Sequence, residues 1–142
     1  MTNILVVDDD SSVLRMVQVI LESGGYQVTL AHDARAGVNM VLSEKPDLML
    51  VDIFMPEMDG LEALRIIHRA QPGLPIVVMS GNLFRSSGVP TPDFLHMARM
   101  LGAVSSLAKP FRAGQLLDAV SRGLENAVQR SAACADSETR FG

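Results

Sequence analysis

Three aspartates stand in a row at Asp8, Asp9 and Asp10, directly after the apolar run Ile4 to Val7. A fourth, Asp52, follows Leu48, Met49, Leu50 and Val51, which are apolar in succession. Ser80 closes a further apolar run, and Lys109 follows a weaker one, Val104 to Ala108. Carboxylates brought together disfavour one another's ionisation. A hard divalent cation resolves that conflict: Mg²⁺ takes one or two carboxylates, keeps several waters and completes its shell with phosphate oxygens. A carboxylate is also a nucleophile toward phosphorus, giving an aspartyl phosphate. Such a transfer needs mainly positioning and cancellation of charge on the equatorial oxygens. The chain has the parts for it: Asp9 for the metal, Asp52 as nucleophile, Ser80 as hydrogen-bond donor and Lys109 as cation.

These residues are far apart in sequence, so the elements that carry them must bring them together. Ile4 to Val7 reads as a first strand, Gln27 to Ala31 as a second, and Leu48 to Asp52 as a third, covered on both faces. Ile76 to Met79, ending at Ser80, is a fourth strand, and Val104 to Ala108 a fifth and weaker one. Helical spacing falls between them. Val13, Leu14, Val17, Ile20 and Leu21 form the first helix, with Ser11 and Ser12 as its N-caps and Gly24-Gly25 as its stop. Asp33 caps a second helix through Val38, Val41 and Leu42 that ends before Pro46. Asp59 caps a third, with Leu61, Leu64, Ile67 and Ile66 on its inner side. After a Gly- and Pro-bearing loop at 81–93, a short helix is expected at 93–101 and a last one at 113–130.

Strand and helix alternate five times, which implies one doubly wound α/β domain with a parallel sheet and helices on both faces. All strand carboxyl ends then lie along one edge, where open α/β sheets bind ligands. Asp8 and Asp9, Asp52, Ser80 and Lys109 all stand at such ends.

Composition narrows the classes. The 142 residues suit one domain, read as 1–130 with a flexible tail at 131–142. No apolar run spans a bilayer, no signal peptide opens the chain, and the single cysteine, Cys134, fits a reducing compartment, so a cytoplasmic protein is expected. The net charge of -4 and the lack of a basic stripe argue against direct DNA binding. His32, His68 and His96 lack ligand spacing and read as surface or boundary residues. The methionines read as core filler, with Met97 and Met100 beside Phe94 as a candidate partner patch.

Taken together, ILVVDDD at 4–10, VDIFMPEMDG at 51–60, VVMSG at 77–81 and AKPF at 108–111 resemble the receiver domain of two-component response regulators. The likeness covers about residues 3–128. It implies a five-stranded sheet in the order 2-1-3-4-5. It implies Asp52 as phosphoacceptor from the phosphohistidine of a sensor histidine kinase or phosphotransfer protein. It further implies Mg²⁺ held by Asp8 and Asp9 with help from Asp52 and the backbone carbonyl of Phe54, and a cis Lys109-Pro110 bond. Ser80 and Lys109 would sense the phosphoryl group, and the altered surface would pass the signal to a downstream protein. A stand-alone receiver, a monomer or weak dimer, and no enzymatic turnover are expected. The chain departs from the family's pattern in three places. Lys109 lies 29 positions after Ser80, with the excess in 81–93; Ser106 stands where an aromatic or histidine is usual; and Phe54 is bulky and apolar at the mouth of the site.

Two other readings compete. A receiver fold can serve as an adaptor that binds its partner without phosphorylation. A haloacid-dehalogenase-like phosphatase would use Asp8 within Asp8-Asp9-Asp10-Ser11-Ser12, but it needs a further acidic pair at a later strand end. Here Asp118 and Glu125 fall inside the last helix instead.

Overall fold

The computed structural model describes residues 2–52, 60–80, 103–108 and 110–125. Five parallel strands form one sheet: β1 (Asn3–Val7), β2 (Gln27–Ala31), β3 (Leu48–Asp52), β4 (Ile76–Ser80) and β5 (Ala103–Ala108). Their order is β2-β1-β3-β4-β5, as the resemblance implies. The helices are α1 (Ser11–Ser23), α2 (Ala34–Glu44), α3 (Gly60–Ala70) and α4, helical over 113–125. The short helix expected at 93–101, the Asp59 cap and the tail lie outside the described residues.

The central strands are apolar throughout their interiors (Ile4 to Val7, Leu48 to Val51, Ile76 to Met79) because both faces are covered, and the two faces build separate cores. Leu5, Val7, Met49, Val51, Ile76 and Val78 pack with Val41, Leu64 and Ile67 of α2 and α3. Ile4, Val6, Leu48, Leu50, Val77 and Met79 pack with Leu14, Val17 and Leu21 of α1 and Leu116 and Val120 of α4. Adjacent residues thus serve opposite cores, as the two-residue period of a strand requires. A one-residue slip would exchange the two sets, so the register that aligns the strand ends is tightly held. Gly37 brings α2 close to β1: a Cβ there would lie 2.7 Å from Val7 Cγ2, the side chain that precedes Asp8.

Three local expectations are corrected. The N-cap of α1 is Asp10, not Ser11 or Ser12: its side chain accepts from the Ser12 N–H, and both serines fall within the first turn. Ile66, expected on the inner side of α3, is 38% exposed and so does not belong to it; on α2, Leu42 is 51% exposed. The core stripes of α2 and α3 are narrower than the apolar pattern suggests. β5 begins at Ala103, and its pairing with β4 shifts between Ile76 and Val77, so Val104 is an extra residue opposite that step. The cap expected at Asp33 is present, with Oδ1 accepting the Ala36 N–H at 2.7 Å. α2 ends on Lys45 in the left-handed region (φ 50°), one residue before Pro46.

Leu50 is fully buried on β3, two residues before Asp52. Leu50→Ala should cost about 2–5 kcal/mol of stability, read as a lower urea midpoint at unchanged slope. A loss below about 1 kcal/mol would mean that this strand is not the centre of the core.

Candidate functional site

Asp8 follows directly on β1. Its N–H donates to the Ala31 carbonyl at 3.2 Å, carrying the pairing with β2 one residue past the strand. The side chain is 0% exposed, and its Oδ1 accepts the Asp10 N–H at 2.9 Å. Asp52 is the last residue of β3, paired with Met79 of β4, and is 5% exposed. Neither of these buried carboxylates is without a partner. Asp9 is exposed on the solvent side.

One carboxylate oxygen from each of Asp8, Asp9 and Asp52 lies within 4.8 Å of the other two, although Asp9 and Asp52 are 43 positions apart in the sequence. The fold does this through register. Val7 pairs with Val51, so the residues that follow them emerge side by side from the same edge. This is the one such acidic group among the described residues. Three hard oxygen donors, two of them built into the wall and one facing solvent, fit a hard divalent cation that retains waters. They do not fit a zinc site, which favours nitrogen and sulfur ligands in a closed tetrahedron.

The other expected site residues can be located by backbone register. Ser80 is the last residue of β4 and pairs with Ala108, the last of β5. Lys109 follows Ala108 but lies outside the described residues, as do Phe54 and the Lys109-Pro110 bond. Ser106 pairs with Val78 and is exposed. His68 is half-buried at the end of α3, with no hydrogen-bond partner on Nδ1. Asp118 makes an exposed pair with Arg122 at 3.1 Å, one turn along α4. Asp118 and Glu125 both lie on the exposed side of that helix.

Sequence reasoning missed the part played by Asp10, which caps α1 and donates its N–H to Asp8 Oδ1. A signal was present: aspartate is among the strongest N-cap residues, and Asp10 is the last polar residue before two serines that fit a first turn.

Residues 4–121 match the family model for the response regulator receiver domain. The chain belongs to that family. Its sheet order and both helix layers are those of the receivers it resembles in three dimensions. A CheY-like receiver domain protein from Methanospirillum hungatei JF-1 superposes with a TM-score of 0.81 at 29% identity, over 92% of this chain and 98% of that one. The beryllofluoride-activated NtrC4 receiver domain dimer gives a TM-score of 0.78 at 25% identity, over 89% of this chain and 99% of that one. Among curated proteins, the response regulator MprA of Mycobacterium avium (strain 104) is 38% identical over 114 residues, 80% of this chain. The receiver chain spans 47% of MprA's length. The protein therefore carries the receiver domain of a response regulator in two-component signalling. No helix among the described residues is long and apolar enough to cross a membrane.

Crowded like charges predispose the metal-free site to repulsion. Asp9→Asn should raise stability in the presence of a chelator by about 1 kcal/mol, the Coulomb scale for a pair near the surface screened by solvent. The gain, read from urea midpoints, should shrink as salt is added. A destabilised variant would show that the three charges are already compensated.

Proposed function

We propose that this receiver accepts a phosphoryl group on Asp52 from the phosphohistidine of a kinase or phosphotransfer protein, and that the modified form binds its protein partner with altered affinity. The observation that carries the reading is the convergence of Asp8, Asp9 and Asp52 within 4.8 Å at the carboxyl edge of a receiver sheet. Bound Mg²⁺, held by Asp8, Asp9 and Asp52 with the Phe54 carbonyl, would supply positive charge to the phosphate oxygens and relieve the repulsion among the carboxylates.

The chain's own residues carry the rest. An oxygen of the Asp52 carboxylate attacks phosphorus, a P–O bond forms, and the P–N bond to the donor imidazole breaks with its electron pair left on nitrogen. Asp52 suits this role because it is nearly buried at a strand end, so the strand fixes the line of attack and little water competes. The Lys109 ammonium neutralises charge on a second side of the phosphoryl group, and the Ser80 hydroxyl donates to a further oxygen. Support for their approach is the pairing of Ser80 with Ala108, the residue before Lys109, two strands from Asp8 and next to Asp52's strand. A phosphoryl group changes partner affinity only through different contacts in the two states, and Ser80 and Lys109 are the groups that gain contacts. The chemistry is acceptance of one phosphoryl group, not turnover of a substrate, and the protein acts in the cytoplasm. NtrC4 supports the use of beryllofluoride as a mimic, since its receiver was solved in that activated form.

Mixed with Mg²⁺ and acetyl phosphate, the protein should gain 80 Da in an acid-stable but base-labile adduct, with none in Asp52→Asn or without the metal. Intact-protein mass spectrometry reads it. Equal labelling of Asp52→Asn would move the acceptor elsewhere. Full signalling by Asp52→Ala in cells would favour the phosphorylation-independent adaptor.

A further inference from the structure

Asp10 lies outside the trio of carboxylates, yet it stands between them and the first helix. Its N–H donates to Asp8 Oδ1 at 2.9 Å, its own Oδ1 accepts the Ser12 N–H at 2.9 Å, and its carbonyl accepts the Leu14 N–H at 3.1 Å. The backbone at Asp10 is extended (φ -91°, ψ 111°), as an N-cap requires. α1 itself is anchored by Leu14, Val17 and Leu21, at most 1% exposed. A chain of bonds thus runs from a helix fixed in the core, through the Asp10 peptide, to one oxygen of a fully buried Asp8.

We infer that Asp10 is a positioning residue for the cation end of the site: by capping α1 it fixes the peptide N–H that aims the Asp8 carboxylate at Asp9 and Asp52. A buried carboxylate accepting a rigid N–H keeps one orientation, and partners that orient ligands in this way typically govern metal affinity as well as geometry. If the cap is lost, the first turn of α1 frays, the N–H moves with it, and Asp8 loses that restraint. The Asp10 charge is not the agent, because the side chain is exposed and is engaged with Ser12. The inference rests on reading the trio as a divalent-cation site.

Asparagine caps as well as aspartate but carries no charge, whereas alanine does neither. Mg²⁺ titration of the metal-free protein, followed by ¹⁵N-resolved NMR, should therefore separate the two. Asp10→Asn should bind within about twofold of wild type, and Asp10→Ala about three- to tenfold more weakly than Asp10→Asn, the range that a lost cap produces. Asp33→Ala removes the equivalent cap on α2 and should lower stability with no change in Mg²⁺ affinity. Equal affinity of the alanine and asparagine variants would overturn the inference, as would equal weakening of both, which would assign the effect to charge. A second measurement does not depend on how the alanine variant folds. In the metal-free protein, Asp8→Ala should shift the Asp10 amide proton upfield and speed its exchange; an unchanged amide would also overturn the inference. Absence of saturable Mg²⁺ binding in the wild type would overturn both the cation reading and this one, whereas failure confined to the Asp10 variants leaves the cation reading standing.

Discussion

Carboxylates at Asp8, Asp9 and Asp52 repel at the separations found here, and yet the fold holds all three within 4.8 Å of one another. A protein maintains such an arrangement only where something else makes it rigid. Here that is the parallel sheet. Four-sided burial of β1 and β3 fixes register to the residue, and register fixes which side chains emerge at the carboxyl edge. Asp8 is then held by two backbone bonds, its own N–H to Ala31 and the Asp10 N–H to its Oδ1. The three carboxylates are thereby held in place by the backbone, so a cation or an incoming electrophile would meet a preorganised anionic site. Affinity for Mg²⁺ and reactivity of Asp52 would be two consequences of this one constraint.

The two-faced core explains why the site sits where it does. Adjacent residues of β1 and β3 alternate between the α2/α3 core and the α1/α4 core, so no interior position on these strands is available for a polar group. The first residue that can be polar is the one past the last layer of apolar contacts. Asp8 and Asp52 occupy those positions, and Ser80 occupies the corresponding one on β4. The active edge is thus the boundary of the hydrophobic core, and it requires no dedicated scaffold of its own.

The central strands and the three-carboxylate grouping were legible in the sequence because both depend on strong signals: uninterrupted apolar runs of four residues and a polar residue where each run stops. Local detail was less legible for identifiable reasons. Ser11 and Ser12 are good caps by type, but Asp10 competes for the same role and wins because its N–H also satisfies Asp8; that second bond joins residues whose relation only the folded loop reveals. Leu42 and Ile66 fit the helical period yet face solvent, since periodicity marks a stripe but not its width. The extra residue at Val104 was invisible because a bulge depends on the partner strand's register rather than on the residue itself. The roles proposed for Asp52 as acceptor and Lys109 as counter-charge rest on family resemblance and chemistry rather than on any local pattern.

The most direct test of the central claim is a crystal structure of the protein with Mg²⁺ and beryllofluoride. The account expects a tetrahedral beryllofluoride group bonded to one oxygen of Asp52, and one octahedral cation bound directly or through water by the Asp8 and Asp9 carboxylates, with Lys109 and Ser80 contacting the fluorides. An adduct on a different carboxylate, or a cation bound away from Asp8 and Asp9, would contradict it.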